Sequence, residues 1–250
     1  MLGQTVLVGC SGWNYRHWRG PFYPIDMRQA DWFAHYASHF NAVEINNTFY
    51  RLPTREVFAA WAAAAPPGFT YVIKGSRFAT HTKRLLDAGA TVPRFLAPAS
   101  ALGATAGGVL WQLAPSQRRD DARLADFLAQ LPTNGTHALE LRDESWFDDA
   151  VYARLDAAGV GFVVHDIHGM TVPAVVTGGF AYLRLHGWPD GRYVGSYPDA
   201  ELDRRAAWLA EAQCRGARAC AFFNNDIGAS APVDARRLAG LLGPSRTPAR

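Results

Sequence analysis

The sequence predicts an α/β fold, a single TIM-type (β/α)8 barrel. Three observations carry that prediction. Short aliphatic or β-branched runs alternate with helical patterns along the whole chain. There are about eight such runs, the number at which parallel strands close into a barrel. The polar residues within them gather towards their C-terminal ends. With 250 residues, 49% of them apolar, the chain holds enough material for one large core. No repeat, linker or low-complexity tract divides it, so residues 1–243 are expected to form one domain and 244–250 a flexible tail.

The first strand is expected at Val6–Cys10. RQADWFAHYASHF follows, with Trp32, Phe33, Tyr36 and Phe40 on one helical face. The second strand is Ala42–Asn46. Thr54 can cap REVFAAWAAAA, whose Val57, Phe58 and Trp61 share a face, and Pro66-Pro67 stops it. After the third strand, Thr70–Gly75, FLAPASALGATAGG is interrupted by Pro98 and reads as a broken helix, so the third helical position is irregular. The fourth strand, Gly108–Gln112, precedes DDARLADFLAQL, which buries Leu124, Phe127, Leu128 and Leu131 and halts at Pro132. The fifth, Ala138–Leu141, precedes DAVYARLDAAG, opened by Asp148 and closed by Gly159. The sixth, Gly161–His165, is followed by HGMTVPAVVTGG, which carries no helical pattern and makes the sixth position irregular too. Ala181–His186 and Ala219–Asn224 complete the set, with DAELDRRAAWLAEA and APVDARRLAGLLG as the last helices.

Side-chain parity then predicts a site. Successive strand residues face opposite sides, and in a barrel one side meets the helices and the other the interior. Glu44 and Asn46 share the side opposite Val43 and Ile45; Lys74 opposes Ile73; Gln112 falls with Leu110; Glu140 and Arg142 oppose Leu139 and Leu141. Asp166 can end the sixth strand on the side of Phe162 and Val164. Arg184 and His186 oppose Leu183 and Leu185, and Asn224 shares parity with Asp226. A lone buried carboxylate costs several kcal/mol or is neutralised, so Glu44 is expected within a ring of compensating charges. Such rings stand where barrel enzymes hold their reactive groups, at the carboxyl ends of the strands.

Within the ring Lys74, Arg142 and Arg184 suit a carboxylate or phosphate. His186, oriented by Asp166, Asp226 or Glu44, is the expected general acid–base, titrating near neutrality, with Glu140 and Lys74 as further candidates. Asn46, Gln112, His81, Asn224 and Asn225, with the aromatics Trp13, Tyr15, Trp18, Tyr50 and Trp146, are candidates for substrate contact. Glu44 and Glu140 also raise the alternative of a glycosidase pair with aromatic sugar platforms. No metal is expected: His81, His186, Glu44, Asp166 and Asp226 lack ligand spacing, and the interleaved cations oppose a metal ion. No cofactor is expected either, since dinucleotide, Walker and Gly-x-Ser-x-Gly signatures are absent from the sequence.

Composition narrows the classes. A net charge of +3 and a pI near 8.9 permit an anionic ligand without announcing a nucleic-acid coat. Cys10, Cys214 and Cys220 are odd in number and lack zinc spacing, which fits reduced thiols in a cytoplasmic protein. No signal peptide is expected, and no apolar run approaches the length of about 20 residues that spans a bilayer. The expected function is a cytosolic enzyme using acid–base chemistry on a small polar, anionic or sugar-like molecule. Nucleic-acid binding or phosphodiester processing is the alternative from another class, and a non-catalytic scaffold with a vestigial site is the third.

The segments GCSGWNYRHW, GPFYP, FNAVEINNTFYRLP, THTKRL, LWQLAPS, ALELRDESW, YLRLHG and FFNND stand in the order found in the YecE-like family, also called domain of unknown function 72. The chain resembles that family from its first strand to its last helix. The resemblance implies a TIM-type barrel and hands over no activity. It covers Glu44, Lys74, Glu140, Arg142, Asp166, Arg184, His186, Asn225 and Asp226 among others. Two positions depart from it: Asp143 stands where many relatives carry a histidine, and Ala114 replaces a usual proline.

Overall fold

The computed structural model describes residues 5–189 and 191–243; the expectations for the first four residues and for the tail 244–250 lie outside them. Eight parallel strands form the barrel: β1 (Leu7–Cys10), β2 (Ala42–Ile45), β3 (Thr70–Lys74), β4 (Ala106–Gln112), β5 (His137–Glu140), β6 (Val160–His165), β7 (Phe180–Leu185) and β8 (Arg218–Phe223). Between and after them run α1 (Trp32–Ala37), α2 (Asn47–Tyr50), α3 (Arg55–Ala64), α4 (Ala88–Ala99), α5 (Asp121–Ala129), α6 (Asp149–Ala157), α7 (Asp199–Cys214) and α8 (Ser230–Leu242). The fold is a (β/α)8 barrel, as expected, and every strand lies within two residues of its sequence-derived bounds.

Parity is realised as two cores. The helix-facing residues, among them Val43, Ile73, Trp111, Leu139, Phe162, Leu183 and Phe223, pack under the helical shell. The interior is filled from below by Ala42, Val72, Leu110, Ala138, Val163, Tyr182 and Phe222, with Phe180 and Cys220. These apolar layers plug the barrel, so the polar residues one step further along each strand form a floor above packed hydrocarbon.

The ladder runs β1-β8-β7-β6-β5-β4-β3-β2, and side chains close the remaining gap between β1 and β2. Asn41 Oδ1 accepts from the Val8 N–H at 2.9 Å and its Nδ2 donates to the Val6 carbonyl at 2.9 Å. Tyr36 Oη accepts from the Cys10 N–H at 2.7 Å and donates to the Ala42 carbonyl at 2.9 Å. These four bonds satisfy backbone groups that a regular ladder would otherwise pair. Gly9 permits the close approach, because a Cβ there would stand 2.0 Å from the Ala42 oxygen.

The third helical position is irregular, as expected: α4 carries Pro93 and stops one residue after Pro98, and a 3-10 segment, Ser100–Thr105, kinked at Gly103, follows it. Each internal proline costs about 3 kcal/mol, but the helix buries Ala88, Thr91, Val92, Phe95 and Ala99 on one face, and that burial prevails. Other local expectations need correction. The first helical segment is six α-helical residues after a 3-10 turn; Trp32, Tyr36 and Phe40 are buried while Phe33 is only half-buried. Val57 does not share the buried face of Phe58 but lies 40% exposed. The stretch between β6 and β7 has no helix, as its pattern predicted. Asp148 caps α6 by accepting from Ala150 N–H at 2.9 Å, and Gly159 ends it with φ +67°.

Candidate functional site at the C-terminal mouth

Arg184, near the end of β7, is the hub. Its side chain crosses the barrel to Glu44 on β2, with Nη2 donating at 2.6 Å and Nε at 3.0 Å, while Nη1 donates to Glu140 on β5 at 2.6 Å. Glu44 also accepts from Ser11 Oγ at 2.7 Å and Tyr182 Oη at 2.5 Å. Arg142 Nε donates to the other oxygen of Glu140, and its Nη2 reaches Gln112 Oε1 at 3.5 Å. Glu44, Glu140, Arg184 and His186 are all at most 1% exposed. The buried charge of Glu44 is therefore compensated, as expected.

Burial pushes both glutamates towards neutrality, but the surrounding cations reverse the effect. For Glu44 the Arg184 charge and hydrogen bonds from Arg184, Tyr182 and Ser11 leave the carboxyl below its ordinary range. For Glu140 the charges of Arg142 and Arg184, with His165 and His186, take it well below. Both acids are ionised and bonded to one guanidinium. That arrangement corrects the glycosidase alternative, which needs one carboxylic acid able to donate a proton and space between the pair for the sugar bond.

His186 is corrected too. Its Nε2 faces Arg142 Nη2 at 3.2 Å and Arg184 Nη1 at 3.3 Å. Guanidinium only donates, so Nε2 accepts and the ring proton sits on Nδ1, 3.5 Å from Asp166 Oδ1. Burial lowers the imidazole pKa; the Asp166 side chain opposes this, but the two arginines reinforce it, giving about 4. His186 is thus neutral near pH 7 and its lone pair is engaged. Asp166 is tied down as well: Oδ1 accepts the His186 N–H at 2.7 Å and Oδ2 the Tyr197 hydroxyl at 2.6 Å. Tyr197 Oη accepts from the Gly187 N–H at 2.7 Å.

Lys74 closes β3 differently. Its ammonium lies 4.4 Å from the centroid of the Phe49 ring, and Thr48 Oγ1 donates to its carbonyl at 2.6 Å, tying β3 to the segment after β2. Burial, then the charges of Arg184 and Arg142, outweigh the two glutamates and push the amine down to about 8. His81, edge-on to Phe49 at 4.9 Å, is lowered to about 4 by burial and by Lys74, Arg77, Arg142 and Arg84. Of the ring, only Lys74, Arg142 and the edge of Asp166 reach solvent.

The remaining candidates make no direct hydrogen bond to Arg184, Glu44 or Glu140, although Tyr15 and Asn46 adjoin the cluster through Ser11. Asp226 offers its carbonyl to His17 Nε2 at 2.7 Å and to Trp18 Nε1 at 3.0 Å; burial raises its carboxyl pKa. Tyr15 donates to the Ser11 carbonyl at 2.7 Å, and Asn46 Nδ2 to the same oxygen at 3.4 Å. Trp18 and Trp146 are fully buried, the latter bonded to the Gln117 carbonyl at 2.7 Å, so neither presents a face to a sugar. Asn225 is buried against Gly195 and Asp234, bracing a loop to α8. Trp13 packs on Phe33, Tyr50 is 79% exposed, and Asn224 stands half-buried, its N–H donating to Leu185 at 2.7 Å. Asp143 accepts from the Ser145 N–H at 3.0 Å and caps a short turn.

Four members of the site escaped the sequence reading. Interior parity in β6 belongs to Val163 and His165, not to Phe162, Val164 and Asp166; His165 sits 6.0 Å ring to ring from His186 and pairs in register with Arg184. Tyr182 and Ser11 follow the same parity on β7 and β1, a signal the alternation already contained. Tyr197 lies in a loop, where no periodicity points to it.

The fold and this charged layer define a (β/α)8-barrel protein with a polar mouth at the carboxyl ends of its strands. The chain belongs to the family described as "Protein of unknown function DUF72", whose model matches residues 7–250. It is 33% identical over 113 residues to the UPF0759 protein YecE of Escherichia coli, a match spanning 45% of this chain and 42% of that one. The match thus covers less than half the length of the curated relative. Among solved structures, a DUF72 family protein of Thermotoga maritima superposes with TM-score 0.80 at 24% identity, over 96% of this chain and 100% of the other. One from Enterococcus faecalis gives TM-score 0.80 at 18% identity over 96% of each chain. At these identities the likeness establishes the fold alone. No helix among the described residues is long and apolar enough to cross a membrane.

Proposed function

We propose that the chain is an enzyme that holds a small anionic molecule, a carboxylate or a phosphate, at the barrel mouth and uses Lys74 for proton transfer. One observation carries this reading: the two glutamates of the ring are sealed and bonded to arginine, and Asp166 is bonded to the His186 N–H and Tyr197, whereas the cations Lys74 and Arg142 stand at the solvent edge. A ligand arriving from solvent meets positive charge above a fixed floor. Arg142 supplies a guanidinium edge suited to planar anions, and Lys74 is the member of the ring whose protonation changes near physiological pH. Glu140 and His186 then hold Arg142, and Glu44 and Asp166 complete the bonded layer beneath, rather than react.

Thermal-shift screening against inorganic phosphate, sugar phosphates and small carboxylates tests the reading. A ligand at one hundred times its Kd adds about 2.7 kcal/mol of stability, and Arg142→Gln should abolish the shift while the variant stays folded. A folded wild type that responds to no anion would overturn it. A second reading is favoured by Arg77 and Arg84, which add cations beside His81: a nucleic-acid backbone along the same edge. It requires affinity for DNA or RNA that falls steeply with salt, and salt-independent or absent binding removes it.

A further inference from the structure

Two of the 25 Lys and Arg residues are lysines, Lys74 and Lys83. Lys83 is an ordinary surface residue, paired with Asp87 at 2.7 Å. Lys74 is the last residue of β3, faces the interior, and rests its amine on the Phe49 ring. Among the described residues no carboxylate stands within 4.0 Å of that amine, although two ionised glutamates are bound nearby to Arg184 and Arg142. A chain that uses arginine for nearly every cation keeps an amine at this position. Charge alone does not explain the choice, because guanidinium is the more persistent cation and the better anion clamp. An amine adds what guanidinium lacks: a proton it can release and a nucleophilic lone pair.

We infer that Lys74 is a covalent nucleophile, condensing with the carbonyl carbon of a small anionic aldehyde or ketone to form an iminium. The inference rests on the reading of the mouth as an anion site, with Arg142 holding the acid group. The Nζ lone pair attacks the carbonyl carbon, forming the C–N bond, and the C=O π pair moves to oxygen, which takes a proton. The carbinolamine then loses that oxygen as water, leaving a C=N double bond and one proton on nitrogen. Ammonium plus carbonyl gives iminium plus water, so the site keeps one positive charge and the ionised floor stays balanced. No oxidant, reductant or cofactor is consumed.

The surroundings favour the first step. Burial and the neighbouring arginines push the amine down to about 8. At pH 7 roughly a tenth of it is then unprotonated, on the order of 200-fold more than for an ordinary lysine. The Phe49 ring attracts the ammonium and acts in the opposite direction.

The full chain is incubated with pyruvate, and separately with dihydroxyacetone phosphate, in the presence of borohydride; intact mass and peptide mapping locate the reduced adduct. The expected result is one adduct at Lys74, at least tenfold over Lys83, forming faster as pH rises towards about 8. Pyruvate alone reacting would identify oxo acids as the substrate class, the phosphate alone sugar phosphates. Lys74→Arg should lower trapping at least tenfold and Lys83→Arg leave it unchanged; mapping on wild type decides the matter even if Lys74→Arg misfolds. Absence of an adduct, or one spread over Lys83 and the terminal amine, overturns the inference. If anions still raise the melting temperature while nothing is trapped, only the nucleophile falls; if neither occurs, the anion site falls with it.

Discussion

Replacing Arg184 with methionine removes the hub of the charged layer without emptying its volume. Wild-type Arg184 makes four bonds of 3.2 Å or less to Glu44 and Glu140, and all three side chains are at most 1% exposed. Deleting one partner of a buried ion pair costs about 3–5 kcal/mol, because the other charge is left uncompensated. Glu44 keeps Ser11 and Tyr182, and Glu140 keeps Arg142, so the loss belongs at about 4 kcal/mol rather than twice that. For a chain of this length that corresponds to roughly 8–16 °C in Tm. The pH dependence gives the sharper test. In the wild type both carboxyls lie below their ordinary range, so their contribution is present above the unfolded value of about 4.3 and is lost as pH falls through the folded values. In the variant Glu44 rises, takes up a proton and no longer needs the cation, so the deficit shrinks on going from pH 7 to about pH 5. Adding Glu44→Gln should restore much of the stability at pH 7. Urea denaturation at the two pH values measures both effects. A deficit under about 1 kcal/mol, or one that does not shrink with acid, refutes the buried-charge argument.

Four further outcomes are expected. His186, His81 and His137 are pushed down to about 4 and His165 is lowered, chiefly by burial. The unfolded chain therefore takes up protons first, and stability is lost as pH falls from about 6.5; His186 alone accounts for roughly 3 kcal/mol at pH 4. Imidazole NMR should show His186 as the Nδ1–H tautomer, unchanged from about pH 8 down to roughly 5.5, and a midpoint near 6.5 would refute that. At the β1–β2 gap, Tyr36→Phe leaves the Cys10 N–H and the Ala42 carbonyl without their partner, a loss of about 1–3 kcal/mol with faster amide exchange at Cys10. Gly9→Ala drives a Cβ against a backbone oxygen at 2.0 Å and should lower the yield of folded protein more than Tyr36→Phe does; equal yields would show that the strands have room to part.

Parity made much of this architecture readable. Glu44, Lys74, Gln112, Glu140, Arg142 and Arg184 alternate with aliphatic residues, and a strand offers only two sides, so placing one residue places the rest. The same logic does not choose between His165 and Asp166 at the end of β6, because either parity there carries a polar residue; the structure gives the interior to His165. Trp18 and Trp146 were legible as aromatics but not as buried ones, since a loop tryptophan has no period that separates core from lid. Which member of the ring can titrate was not legible either. That depends on which lone pairs are already occupied, and for His186 the Nε2 lone pair faces Arg142, from beyond β5, and Arg184, two residues back along β7. Helix α4 was obscured by Pro93 and Pro98, where local preference opposes an outcome set by tertiary burial.

Because its guanidinium is anchored on β7 and gripped from β2 and β5, Arg184 is a strut across the diameter of the barrel. Those three strands cannot spread without breaking charge-assisted bonds, so the aperture above them takes its width during folding. Under the proposed function, the anion would meet strand ends whose spacing these bonds already hold.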